Sequence, residues 1–143
     1  KCIMTIKEQQ DTIIEEFSFF TDWTEKYEYI IQLGKDLPLI DEQYKKEENL
    51  IKGCQSKVWL HAEHRDGKIF FTADSDAVIT KGLVSMVMRV LSGQSPKDIA
   101  ECEIYFVDAI GLKSHLSLTR SNGLLSMLKQ MKMYGLALKA REI

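Results

Sequence analysis

The sequence predicts an α+β domain in which helices pack against a small three-stranded antiparallel sheet. Three observations lead there. Residues 57–64 alternate, with Val58, Leu60 and Ala62 on one face and Trp59, His61 and Glu63 on the other. Asp66-Gly67 follows at once, a strong signal for a tight hairpin turn, and residues 68–72 supply the returning strand. Residues 77–91 are apolar nearly all round (Val78, Ile79, Leu83, Val84, Met86, Val87, Met88, Val90, Leu91), the pattern of a buried helix.

The other elements follow in chain order. Thr5 and Glu8 have the spacing of a capping box, and Ile6, Ile13, Ile14, Phe17 and Phe20 mark an amphipathic helix over residues 5–20. Asp22 and Glu25 open a second helix with the stripe Trp23, Tyr27, Ile30 and Ile31, and Gly34 is its expected stop. Residues 40–52 lose periodicity and are rich in charge, so a solvated connector is expected there. Asp74-Ser75-Asp76 is expected to cap the buried helix, and Gly93 to close it. Ser95-Pro96 reads as a cap followed by proline at the first helical position. Residues 102–107 are expected to form the third strand, with Ile104 and Phe106 on one face. Ser121-Asn122-Gly123 leads into a last helix striped by Leu124, Leu125, Leu128, Met131, Tyr134, Leu136 and Leu138.

Length and composition bound the function. A chain of 143 residues with 45% hydrophobic and 28% charged residues fits one domain over 1–143, with residues 1–3 read as an artificial leader or an upstream extension ahead of Met4. A net charge of −2 argues against non-specific nucleic-acid binding, which needs a basic surface. No run approaches the ~20 apolar residues that span a bilayer, and no signal peptide opens the chain, so no membrane role and a cytoplasmic location are expected. Three widely spaced cysteines (Cys2, Cys54, Cys102) do not suggest a disulfide framework.

Cys54 is the main chemical candidate. Gly53 before it permits a sharp turn, Gln55 and Ser56 after it are polar, and Lys52 and Lys57 supply charge that favours the thiolate. The alternative is a small, buried, inert cysteine. A cysteine hydrolase would need a histidine poised beside the thiol, and His61, His64 and His115 are the three available. No hydrolase signature surrounds Cys54. No CxxC occurs, so a metal site has no support and none is expected. No P-loop or GxGxxG occurs either. Arg120 sits on the N-terminal side of the last helix, where the dipole disfavours a cation, and is either a surface residue or aimed at an anion.

Several segments together resemble the SufE family of sulfur acceptors (SufE/CsdE-like). They are Leu33-Gly34-Lys35-Asp36-Leu37-Pro38, Ile51-Lys52-Gly53-Cys54-Gln55-Ser56-Lys57-Val58-Trp59, Asp74-Ser75-Asp76-Ala77, Lys81-Gly82-Leu83 and Thr119-Arg120-Ser121-Asn122-Gly123-Leu124. The resemblance implies that Cys54 accepts persulfide sulfur from a SufS-type (group II) cysteine desulfurase and passes it to a SufBCD-type iron–sulfur scaffold. Pyridoxal phosphate would belong to the desulfurase, so this chain would need no cofactor of its own. Gly53, Gln55 and Ser56 would shape the loop, and Asp76 and Arg120 would hold it or contact the desulfurase. The implied fold is similar to that of IscU. A non-catalytic binding module of that fold and an IscU-like scaffold are the alternatives, the latter wanting more ligands than the chain offers. One departure stands out: the family usually has proline where this chain has Leu118, which is expected to loosen the approach to Arg120.

Overall fold

The computed structural model describes residues 5–37, 39–51, 57–112 and 118–141, with side chains in the last segment described for 123–140. Helix α1 (Ile6–Ser18) opens with the expected capping box: the Glu8 N–H donates to Thr5 Oγ1 at 3.1 Å, and the Thr5 N–H donates to Glu8 Oε1 at 2.9 Å. Helix α2 (Trp23–Gly34) is capped by Asp22, whose Oδ1 accepts from the Glu25 N–H at 2.9 Å. Two single 3-10 turns follow, Glu42–Tyr44 and Glu47–Asn49. Strands β1 (Val58–Arg65) and β2 (Lys68–Ser75) pair antiparallel, from Val58 opposite Ser75 to Arg65 opposite Lys68. Asp66 and Gly67 join them with φ values of 55° and 74°, the two left-handed residues a tight hairpin turn requires.

Helix α3 (Val78–Leu91) is central, burying Leu83, Val84, Met86, Val87, Val90 and Leu91 among the surrounding elements. Helix α2 crosses it so closely that a Cβ on Gly82 would fall 2.0 Å from the Ile30 carbonyl oxygen. Helix α1 is tied to α3 by a two-pronged ion pair, with Arg89 Nη1 and Nη2 donating to the two Glu16 oxygens at 2.9 and 2.8 Å. The Tyr29 hydroxyl on α2 donates to the same carboxylate. Helix α4 (Pro96–Glu101) begins as expected, the Asp98 N–H donating to Ser95 Oγ at 3.1 Å. Among the described residues, a short helix α5 (Phe106–Ala109) and a long helix α6 (Leu118–Arg141) follow. Helix α6 starts upstream of Ser121-Asn122-Gly123, so that triplet lies inside it. Its stripe buries Leu124, Leu128 and Met131, while Leu125 and Leu136 face outward.

The sheet has two strands among the described residues, which corrects the expected three. Residues 102–105 form a connector, and 106–109 are helical. The physical reason is Gln10 on α1, only 1% exposed. Its Oε1 accepts from the N–H groups of Tyr105 (2.8 Å) and Phe106 (3.2 Å), and its Nε2 donates to the Glu103 carbonyl at 3.0 Å. Lys132 Nζ donates to the Cys102 carbonyl at 2.8 Å. Side chains thus satisfy backbone groups that a neighbouring strand would otherwise have to satisfy. Phe106 and Val107, adjacent in sequence, are both buried, which a half-exposed strand does not allow. Isolated bridges flank the two strands instead, joining Leu39 to Ala73, Leu50 to Trp59 and Gln94 to Ile69.

Candidate functional site

Gly53, Cys54, Gln55 and Ser56 lie outside the described residues, and the site is built from the chain on either side of them. Upstream, the Ile51 N–H donates to the Val58 carbonyl at 2.9 Å, and Leu50 bridges Trp59. Downstream, Lys57 is held by Asp76. The Lys57 N–H donates to Asp76 Oδ1 at 3.0 Å, and the Asp76 N–H donates back to the Lys57 carbonyl at 3.2 Å. Both ends of the Cys54 segment therefore meet where β1 begins and β2 ends.

Asp76 is the predicted site residue that the described structure places against this segment. Its carboxylate is directed to Lys57, so it does not cap α3. The cap position is Ala77, which has no side-chain cap bond; its N–H donates to Ser75 Oγ at 3.2 Å. Arg120 lies in the first turn of α6, where the backbone is helical from Leu118 onward, and its side chain is outside the described residues. Helix beginning at Leu118 puts that residue where proline is also tolerated.

Sequence reasoning read Asp74 as part of a helix cap and a family segment but not as a charged group with several partners. Asp74 is 8% exposed and faces Trp59 across the hairpin. Its Oδ2 meets Lys45 Nζ at 2.6 Å, and its Oδ1 meets Lys81 Nζ at 3.3 Å and accepts from the Ser75 N–H at 2.8 Å. Burial pushes the carboxyl pKa up, but Lys45, the Ser75 N–H and Lys81 outweigh that and leave it below its ordinary value. Lys45 is raised in turn, chiefly by its bond to Asp74.

Lys45 belongs to the stretch expected to be a solvated connector; residues 41–43 and 46–48 are exposed as expected, while Tyr44, Lys45 and Leu50 are half-buried against the hairpin. The Lys46 N–H donates to the Tyr44 carbonyl at 2.8 Å, with Lys45 between them at φ −78° and ψ 68°, an inverse γ-turn. Tyr44 stacks on His61 with ring centroids 3.8 Å apart. Lys45 Nζ also lies 5.4 Å from the centre of the Trp59 ring. Asn49 Nδ2 donates to the Tyr44 carbonyl at 2.7 Å. Upstream, the Ile40 N–H donates to the Ala73 carbonyl at 3.0 Å. The charge run conceals these contacts because their partners lie on the later strands.

The remaining candidates are placed as follows. His61 is engaged by Tyr44, His64 is exposed, and His115 lies outside the described residues. Cys102 is half-buried, its Sγ donates to the Ile99 carbonyl at 3.2 Å, and burial pushes its thiol pKa up. Among the described residues no group of three or more His, Cys, Asp and Glu is placed to hold a metal ion. Among them, too, no helix is long and apolar enough to cross a membrane.

Comparison with known proteins agrees with the sequence motifs. Residues 11–135 match the family model described as SufE, Fe-S metabolism associated domain. An "Uncharacterized SufE-like protein" of Rhizobium meliloti (strain 1021) is 40% identical over 127 residues, covering 85% of this chain and 91% of that protein. Another, from Rhizobium etli, is 41% identical over 128 residues, covering 85% of this chain and 86% of its own. The solution structure of a hypothetical protein from Thermus thermophilus superposes with a TM-score of 0.75 at 18% identity, over 90% of this chain and 94% of that one, a likeness of fold. With a family model spanning most of its length and relatives at about 40% identity, the chain belongs to the SufE family of Fe-S metabolism associated domains.

Proposed function

We propose that the protein is a sulfur acceptor, taking a persulfide sulfur onto Cys54 from a SufS-type cysteine desulfurase and delivering it to a SufBCD-type iron–sulfur scaffold in the reducing cytoplasm. The observation that carries this reading is membership of the SufE family over a span that includes Gly53-Cys54-Gln55-Ser56. The anchoring of both flanks of that segment supports it, since a delivering thiol needs a loop with fixed ends.

The step is thiol–disulfide-type exchange. The Cys54 thiolate attacks the outer sulfur of the desulfurase persulfide, a new S–S bond forms on Cys54, and the old one breaks. The desulfurase cysteine leaves as thiolate, and no net oxidation occurs. The reaction needs a thiolate and geometry, not an acid–base triad, which suits a chain whose His61 is already stacked on Tyr44. Pyridoxal phosphate stays with the desulfurase, and this chain acts as its acceptor and activator without a cofactor of its own.

The test is intact mass under non-reducing conditions after incubation with a cysteine desulfurase and cysteine. The wild type should gain the mass of one sulfur atom, and Cys54→Ser should not. A wild type that stays unmodified, or a Cys54→Ser variant that is modified equally, overturns the reading.

A further inference from the structure

Asp74 and Asp76 lie two residues apart at the end of β2, and each engages a different flank of the Cys54 segment. Asp76 takes the downstream flank through the Lys57 backbone. Asp74 takes the upstream arm, residues 39–51, through the Lys45 ammonium at 2.6 Å. That arm crosses both strands, with Ile40 on Ala73, Tyr44 on His61, Leu50 on Trp59 and Ile51 on Val58. Within it, the inverse γ-turn at Lys45 aims the one side chain that forms an ion pair with the hairpin among the described residues.

A chain held only by stacking and two backbone bonds can slide or tilt. A charge-assisted contact at 2.6 Å between two mostly shielded side chains adds a short tether that stacking does not supply. Lys81, from α3, holds the other carboxylate oxygen and so fixes Asp74 against the helix that follows β2. The carboxylate is therefore braced by α3 on one side while it grips the arm on the other.

We propose that Asp74 is a positioning residue for sulfur transfer, acting through Lys45 to set where the upstream flank of the Cys54 segment lies. The inference rests on Cys54 being the acceptor. Its consequence is kinetic: the Asp74–Lys45 contact restrains the described upstream flank, and breaking it should slow sulfur transfer to Cys54. Misplacement of a reacting group by about 1 Å can cost up to about a hundredfold in rate. The desulfurase would still dock, so the effect falls on the maximal rate and not on the concentration needed for half-saturation.

The test is the rate of sulfur-adduct formation on the full chain at saturating desulfurase, for wild type, Asp74→Asn, Lys45→Met, Lys45→Arg and Lys81→Met. Lys45→Met keeps the stem over Trp59, removes the charge and leaves Lys81 beside Asp74, so it serves as the second variant should Asp74→Asn not fold. Asp74→Asn and Lys45→Met should each lower the maximal rate about tenfold, and the double variant should be no slower than either alone. Lys45→Arg should recover most of the rate, and Lys81→Met, which removes the brace on the other Asp74 oxygen but leaves the grip on the arm, should lower it less than Lys45→Met does. A purely structural role would instead lower the melting temperature of all three charge-removing variants together, with rates tracking the folded fraction. Lys45→Met at the wild-type rate, or a loss confined to half-saturation, overturns the inference while leaving Cys54 as acceptor. A wild type that takes no sulfur overturns both.

Discussion

Asp76 and Lys57 form a closed pair in which the Lys57 N–H donates to the Asp76 carboxylate at 3.0 Å and the Asp76 N–H donates to the Lys57 carbonyl at 3.2 Å. The pair sits on the surface, at the first described residue after the Cys54 segment. An exposed hydrogen bond of this kind contributes about 1 kcal/mol to stability, yet it fixes where the chain leaves the segment. Asp76→Ala should therefore shift the urea midpoint only slightly and slow sulfur-adduct formation on Cys54 by about tenfold. Equal rates in Asp76→Ala and wild type would show that this pair does not position the thiol.

The crossing of α2 over α3 depends on two glycines. A Cβ at Gly82 would lie 2.0 Å from the Ile30 carbonyl oxygen and 2.5 Å from Ile30 Cγ2, and one at Gly34 would lie 2.8 Å from the Gly82 nitrogen. Backbone atoms in packed helices cannot give way as a flexible side chain can. Gly82→Ala should cost about 3 kcal/mol through forced separation of the helices, with Gly34→Ala destabilising by less. Urea unfolding of the two variants checks the order, and a Gly82→Ala variant as stable as wild type would contradict the close approach.

The Glu16–Arg89 pair makes stability fall in acid. Arg89 holds the Glu16 carboxyl below its ordinary value of 4.5, against burial, with the Tyr29 hydroxyl adding to the effect. A carboxyl whose pKa is lower folded than unfolded contributes stability that is fully present above the unfolded value and lost as pH falls through the folded one. Stability should be flat on this account at neutral pH and decline below about pH 4.5. Glu16→Gln should be less stable at pH 7 and show a shallower acid decline than wild type in thermal melts taken from pH 7 to pH 3. An unchanged acid slope in the variant would assign the acid sensitivity to other carboxylates.

What the sequence made legible was local. The hairpin could be read because period-two alternation and Asp66-Gly67 sit within ten residues of each other, and the caps at Thr5, Asp22 and Ser95 because each needs only three residues. The third strand was misread because the backbone of residues 103–106 is satisfied by Gln10, as many as 96 positions away in sequence. Periodicity carries no trace of such a partner. Lys45 failed in the same way: within a run of mixed charge it looks solvated, and its meaning appears only when Asp74 is folded against it. Asp76 stands in a segment that the sequence singles out, although its bond to Lys57 could not be read there. Each miss is a polar side chain whose partner comes from a distant element, where neither propensity nor amphipathicity constrains the choice.

Cys102 offers a direct contrast with an acceptor thiol. Its Sγ donates to the Ile99 carbonyl at 3.2 Å, and the surrounding chain buries about half of it. Burial raises its pKa above the ordinary value of 9.0, and Lys132, whose ammonium is committed to the Cys102 carbonyl, offsets this only in part. At neutral pH Cys102 is therefore a protonated thiol that already has an acceptor for its hydrogen, and the thiolate is the species that attacks sulfur. In a Cys54→Ser variant, peptide-resolved iodoacetamide labelling should show Cys102 reacting slowly at pH 7 and accelerating only as pH rises beyond 9. Replacing it by serine or alanine should leave sulfur-adduct formation on Cys54 unchanged. Rapid labelling of Cys102 at pH 7, or loss of the Cys54 adduct in Cys102→Ala, would mean that a second thiol takes part in the transfer.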